Sequence, residues 1–197
     1  MNVALRKTWT IEQFLAWEER QELKHEFNDH QPEAMTGGTA AHETTKVNLL
    51  MALGNRLRGK PCRPYGSDLK VRIGDKIRYP DAFVVCTPVA MNSTVVTDPV
   101  VIFEVLSPGT ALKDRIVKNQ EYQSLPSVQR YVMLEQDSVA ATVFERRGDD
   151  WVGHLLTGGS AVLHMPEIGT EIPLAELYEG VALTDEPDNE LASPEKE

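Results

Sequence analysis

Residues 99–110 read Pro99-Val100-Val101-Ile102-Phe103-Glu104-Val105-Leu106-Ser107-Pro108-Gly109-Thr110. The stretch 99–106 is almost unbroken apolar sequence, without the alternation of a strand that faces water on one side. Such a run predicts a strand buried on both faces of a mixed sheet covered by helices. One acid, Glu104, interrupts it. An ionised carboxylate at that place is very costly unless it is paired or bound to a cation. Ser107-Pro108-Gly109-Thr110 then reads as a turn.

Working outward, residues 111–124 read as a helix stopped by Leu125-Pro126. Within it Asp114, Lys118 and Tyr122 recur at i, i+4 and i+8, which puts them on one face. Arg130 to Leu134 is a further strand, residues 139–145 and 151–156 form a hairpin, and residues 173–178 form a short helical turn. Upstream, residues 10–24 read as an amphipathic helix opened by the capping box Thr10/Gln13. A break containing Asn28, Asp29, Pro32, Gly37 and Gly38 precedes a helix from His42 to Arg58, which Gly59 and Pro61 end. Strands over Asp68–Ile73 and Arg78–Cys86 follow, joined through Gly74-Asp75. This order predicts an α/β (α+β) fold, with a mixed central sheet flanked by helices and extra antiparallel hairpins.

Composition sets the outer bounds. The chain has 197 residues, 41% of them hydrophobic, enough for one domain with a real core, which we place at residues 1–183. Residues 184–197 hold six acids against one lysine, with Pro187 and Pro194, and read as an acidic disordered tail. The formal net charge of −10 excludes a globally basic nucleic-acid coat protein but not a local basic groove. No run approaches the ~20 apolar residues of a bilayer span. The N-terminus carries no signal-peptide pattern. Cys62 and Cys86 are too few and too far apart for a disulfide framework or a zinc cluster. Together these predict a chain without a membrane partner in the reducing cytoplasm.

The chemistry centres on two acids. Asp81 follows Tyr79-Pro80 and begins the apolar run Ala82-Phe83-Val84-Val85, so it lies in or beside a strand next to that of Glu104. Two carboxylates on adjacent central strands suit Mg²⁺ or Mn²⁺. Lys118 can point at them from the following helix and offset developing negative charge, with Tyr122 binding phosphate or supporting it. Taken singly, each has a plainer reading: Glu104 on a solvated edge, Asp81 in a turn, Asp114 with Lys118 as a surface pair. His42, at a helix start, either contacts a phosphate or a metal-bound water or merely caps. Between Arg56 and Arg78 stand Arg56, Arg58, Lys60, Arg63, Lys70, Arg72, Lys76 and Arg78 against Asp68 and Asp75. That segment is either the nucleic-acid contact or a solvated hairpin face.

The ordered set Tyr79-Pro80-Asp81, Phe103-Glu104-Val105-Leu106-Ser107-Pro108-Gly109-Thr110, Asp114, Lys118 and Tyr122 resembles the Uma-type restriction-endonuclease-like family of the PD-(D/E)XK nuclease superfamily. The likeness covers about residues 8–180. It implies a restriction-endonuclease-like core and a metal-dependent nuclease site, with Asp81 and Glu104 as ligands. The superfamily's usual lysine two residues after the second acid is Leu106 here, so the resemblance implies that Lys118 takes that role. It also aligns Glu26 with the acid of an early strand. Where the family has a glycine turn, this chain has Asn28-Asp29-His30-Gln31. The expected activity is divalent-metal-dependent hydrolysis of DNA phosphodiesters by a homodimer. The alternative is a catalytically inactive interaction module on the same scaffold.

Overall fold

The computed structural model describes residues 8–107 and 114–183. The acidic segment 184–197 and the turn residues Pro108, Gly109 and Thr110 lie outside the described residues. Helix α1, Ile11–Glu18, opens with the predicted box: Thr10 Oγ1 accepts from Gln13 N at 3.2 Å, and Gln13 Oε1 accepts from Thr10 N at 3.1 Å. It is shorter than predicted, because residues 19–24 leave the helix. Next comes the hairpin β1 (His25–Asn28) and β2 (Gln31–Ala34), paired Asn28↔Gln31. Its two turn residues, Asp29 and His30, take φ of 46° and 60°, the left-handed pair that a two-residue hairpin loop demands. The missing glycine therefore leaves the turn intact. Asp is among the non-glycine residues that tolerate this region best.

Helix α2, Ala40–Leu57, matches the prediction closely. Four strands follow: β3 (Arg63–Gly66), β4 (Lys70–Ile73), β5 (Lys76–Arg78) and β6 (Ala82–Val85). The single strand expected over Arg78–Cys86 is corrected to two. Strand β5 pairs with β4 and β1 in one sheet, whereas β6 pairs with β3 and with β8 (Val101–Leu106) in another. Pro80 has no N–H to continue a ladder, so Tyr79-Pro80-Asp81 becomes the crossover between sheets. Strand β3 was hidden by Pro64 and Gly66, and it sits at an edge, where proline is tolerated.

Short β7 (Val95–Val96) completes the first sheet, in the order β2-β1-β5-β4-β7. After β8 comes a π-helical segment, Asp114–Lys118, running directly into α3, Asn119–Gln123. Strands β9 (Arg130–Glu135), β10 (Ala140–Arg147) and β11 (Asp150–Thr157) complete the second sheet, ordered β11-β10-β9-β8-β6-β3. Strand β8 runs parallel to β9 and antiparallel to β6, so the sheet is mixed, as expected. The chain closes with the hairpin β12 (Val162–Met165) and β13 (Thr170–Pro173) and helix α4 (Leu174–Leu177).

All six residues of β8 are buried. Val101, Phe103 and Val105 pack on the α2 side, while Ile102 and Leu106 pack against Tyr122 and Tyr131 on the other. The period of two therefore turns Glu104 toward the helix that carries Lys118 and Tyr122. The cysteine reading is corrected too. Beyond the pair Arg63↔Val85 the strands bring Cys62 and Cys86 together in a disulfide, despite 24 residues of separation. Among the described residues no helix is long and apolar enough to cross a membrane.

Candidate active site

Four predicted residues from four segments line one cavity of 120 Å³: His42, Asp81, Glu104 and Lys118. Asp81 arrives on the sheet crossover. Its Oδ2 accepts from the Val105 backbone N–H at 2.8 Å and lies 3.1 Å from His42 Nε2. Thr39 caps α2 by accepting from His42 N at 3.2 Å, which fixes the histidine in the first helical turn. Gly38 is required beside it, because a Cβ there would stand 2.8 Å from His42 Nδ1. Met35 to Gly38 form the facing wall of the cavity.

Glu104 is the paired acid that its apolar strand demanded. Its Oε1 accepts from Lys118 Nζ at 3.0 Å and from the Tyr122 hydroxyl at 2.8 Å. Lys118 Nζ also stands 3.6 Å from Glu26 Oε1. Glu26 in turn meets Arg78 Nη1 at 3.1 Å through Oε2. Arg78, wholly buried, holds Glu121 by two hydrogen bonds of 2.7 and 2.8 Å, and Lys76 donates to the same carboxylate at 2.7 Å. On the far side, Tyr79 Oη donates to Glu18 at 2.6 Å and Lys70 pairs with Glu18 at 3.1 Å. The cavity thus rests on alternating buried charges, each with a partner.

These contacts set protonation. Burial pushes the Asp81 carboxyl up, but the hydrogen bond and charge of His42, the Val105 N–H and Lys118 together hold it below its ordinary value. The Asp81 hydrogen bond raises the His42 imidazole above its ordinary value, although burial opposes this. The direct carboxylate thus favours the imidazolium even at a helix N-terminus, where the dipole disfavours positive charge. Burial first, and Glu104 and Glu26 next, push the Tyr122 hydroxyl well up, so it stays a donor to Glu104.

Among the described residues Asp81 Oδ1 receives no hydrogen bond, and no group of three or more metal-ligating side chains forms. The donors on offer are two carboxylates lining one cavity. That is the ligand class and number with which Mg²⁺ is usually bound, the remaining positions being filled by water and substrate oxygens.

Other predicted residues fall elsewhere. Glu26 and Tyr122 stand directly behind Lys118 and Glu104. The side chain of Asp114 lies outside the described residues. The basic segment divides. Arg78 and Lys70 are buried and paired, so neither is the surface contact expected of it. Arg56 is held by Glu176 and Lys76 by Glu121, while Arg72 donates to Gly74 O at 3.1 Å. Arg58, Lys60 and Arg63 remain exposed. Glu121 was missed, although its place three residues after Lys118, on the same side of a helix, was a readable signal.

Residues 11–175 match the family model Uma2, described as "Putative restriction endonuclease". The chain is 37% identical over 175 residues to the Synechocystis sp. protein slr1290, covering 87% of this chain and 92% of that one. It is 28% identical over 167 residues to the same organism's sll1609, covering 82% and 94%. In fold it is similar to a putative nuclease belonging to DUF820 from Anabaena variabilis, with TM-score 0.71 and 15% identity, covering 86% of this chain and 97% of that one. The fold, the ordered residues and the match over most of the chain agree: the chain belongs to the Uma2 family.

Proposed function

We propose that the chain is a divalent-metal-dependent endonuclease that hydrolyses DNA phosphodiester bonds. The carrying observation is the meeting of Asp81, Glu104 and Lys118, from a sheet crossover, a central strand and a π-helical segment, on one cavity. The family's description as restriction endonuclease agrees with it. In this reading Asp81 and Glu104 hold Mg²⁺ or Mn²⁺, which supplies Lewis-acid polarisation of the phosphate and an acidified water. The Val105 N–H and His42 hold the Asp81 carboxylate in place. Lys118, anchored by Glu104 and Glu26, presents a cation to the negative charge that develops on the phosphate oxygens. Tyr122, kept protonated, fixes the Glu104 oxygen that Lys118 also uses.

The test is cleavage of plasmid DNA with Mg²⁺ or Mn²⁺ by the wild type, Asp81→Ala, Glu104→Ala and Lys118→Ala, each checked for folding by circular dichroism. The acid variants lose cleavage, and Lys118→Ala loses at least about a hundredfold, the usual cost of removing one charge-stabilising group. Equal activity in all four contradicts the assignment. A folded wild type that neither cuts DNA nor binds millimolar Mn²⁺ in calorimetry supports the inactive interaction module instead.

A further inference from the structure

Among the described residues four cations of the basic segment, Arg58, Lys60, Arg63 and Arg72, make no ion pair with a carboxylate, and the first three stand together. Arg58 and Arg63 are exposed and make no ion pair or side-chain hydrogen bond among the described residues. Among the described residues Lys60 donates only to the Gly169 carbonyl, at 2.9 Å. All three line a cleft of 490 Å³ between the C-terminal end of α2 and the edge strand β3, and among the described residues no acid lines it. Its size and its uncompensated positive charge call for an extended anion.

Gly54 leaves room in the same cleft. It interrupts the interior of α2, where glycine weakens a helix relative to alanine. Yet a Cβ built on it would meet nothing within 4 Å, so no protein neighbour demands the glycine. Gly54 lines the same cleft and leaves the helix wall bare there. Tyr65 forms another part of the wall and is held by stacking on Phe83, with centroids 5.7 Å apart.

The cleft and the site lie toward opposite ends of the β3–β6 strand pair and of helix α2. Gly66 pairs with Ala82, the residue after Asp81, and Arg63 pairs with Val85 at the other end of the same ladder. Three strand residues span ~10 Å at ~3.3 Å each. Helix α2 follows the same course, with His42 at the site and Leu57 at the cleft.

We propose that this cleft is a phosphate-backbone subsite for double-stranded DNA, in which Arg58, Lys60 and Arg63 hold the strand several phosphates away from the bond presented to Asp81 and Glu104. The proposal rests on the nuclease reading for the identity of the polyanion. Contacts of this kind position a duplex without selecting sequence.

The test is fluorescence anisotropy of a labelled duplex with the full chain, in EDTA, across a salt titration. EDTA separates it from the cleavage assay, so each reading can fail alone. The triple variant Arg58→Glu/Lys60→Glu/Arg63→Glu binds more weakly, and its slope of log affinity against log salt falls by about 2–3. Gly54→Leu fills the cleft, weakens duplex binding and does not lower Tm, since leucine favours the helix. Wild-type affinity and slope in the triple variant overturn the proposal. So does a wild type that shows no salt-dependent duplex binding, or that captures an acidic peptide and no duplex.

Discussion

The guanidinium of Arg78, with no exposed surface, grips the carboxylate of Glu121 through Nε–Oε2 and Nη2–Oε1 contacts of 2.7 and 2.8 Å. One residue ends strand β5 and the other lies on the helix that carries Lys118. A third contact, Arg78 Nη1 to Glu26 Oε2 at 3.1 Å, ties in strand β1. Three elements that surround the lysine are thus joined at one side chain.

Removing one partner leaves an uncompensated buried charge. Arg78→Met and Glu121→Met each cost about 3–5 kcal/mol. Because the two groups touch, the double variant loses less than the sum of the two losses. Urea denaturation of the metal-free chain measures all three. A loss below ~1 kcal/mol in both single variants would mean that the network holds nothing together.

The same pair has a pH signature. Burial pushes the Glu121 carboxyl up, but hydrogen bonds and charge from Arg78 and Lys76 hold it below its ordinary value. A depressed folded value means that the stabilisation is complete above the ordinary Glu value near ~4.3 and is lost as pH falls through the folded value. The stability difference between wild type and Glu121→Gln therefore shrinks on acidification below about pH 4. A difference that stays constant or grows contradicts the pairing.

Tyr122 donates to buried Glu104. Tyr122→Phe keeps the ring and deletes the donor, so it costs about 1–3 kcal/mol of stability. It also lowers metal-dependent plasmid cleavage while leaving duplex affinity in EDTA unchanged. Unchanged stability would show that Glu104 does not depend on the hydroxyl.

The cross-strand disulfide closes a loop with a sequence separation of 24 residues. Chain-entropy arguments assign about 3 kcal/mol to a loop of that size. Cys62→Ser/Cys86→Ser lowers the urea midpoint accordingly, and reductant lowers the midpoint of the wild type but not of the variant. Two titratable thiols in the non-reduced native chain would contradict the bridge.

Much of this was legible in the sequence because single residues broke local patterns. Glu104 in an apolar run called for a partner, a cation or a solvated edge, and the i, i+4 relation placed Lys118 and Tyr122 on one face. Both now donate to Glu104 Oε1. The capping box at Thr10 and the turn at Gly74-Asp75 were local, and both formed. What stayed hidden was set by long-range pairing. Arg78 and Lys70 looked like surface cations because their partners, Glu121, Glu26 and Glu18, lie 43 to 52 residues away in the chain, as with Arg78. The cysteines were hidden similarly, since the strand that aligns them contains a proline and ends in glycine. The π-helical turn before α3 has no composition signal of its own.

The most direct test of the central claim is a crystal of the protein soaked in Mn²⁺, with anomalous differences recorded at the manganese edge. The account predicts one strong peak in the cavity between the Asp81 and Glu104 carboxylates, absent from Asp81→Ala crystals treated alike. A map with no peak there, or with manganese bound elsewhere on the chain and that cavity empty, would contradict it.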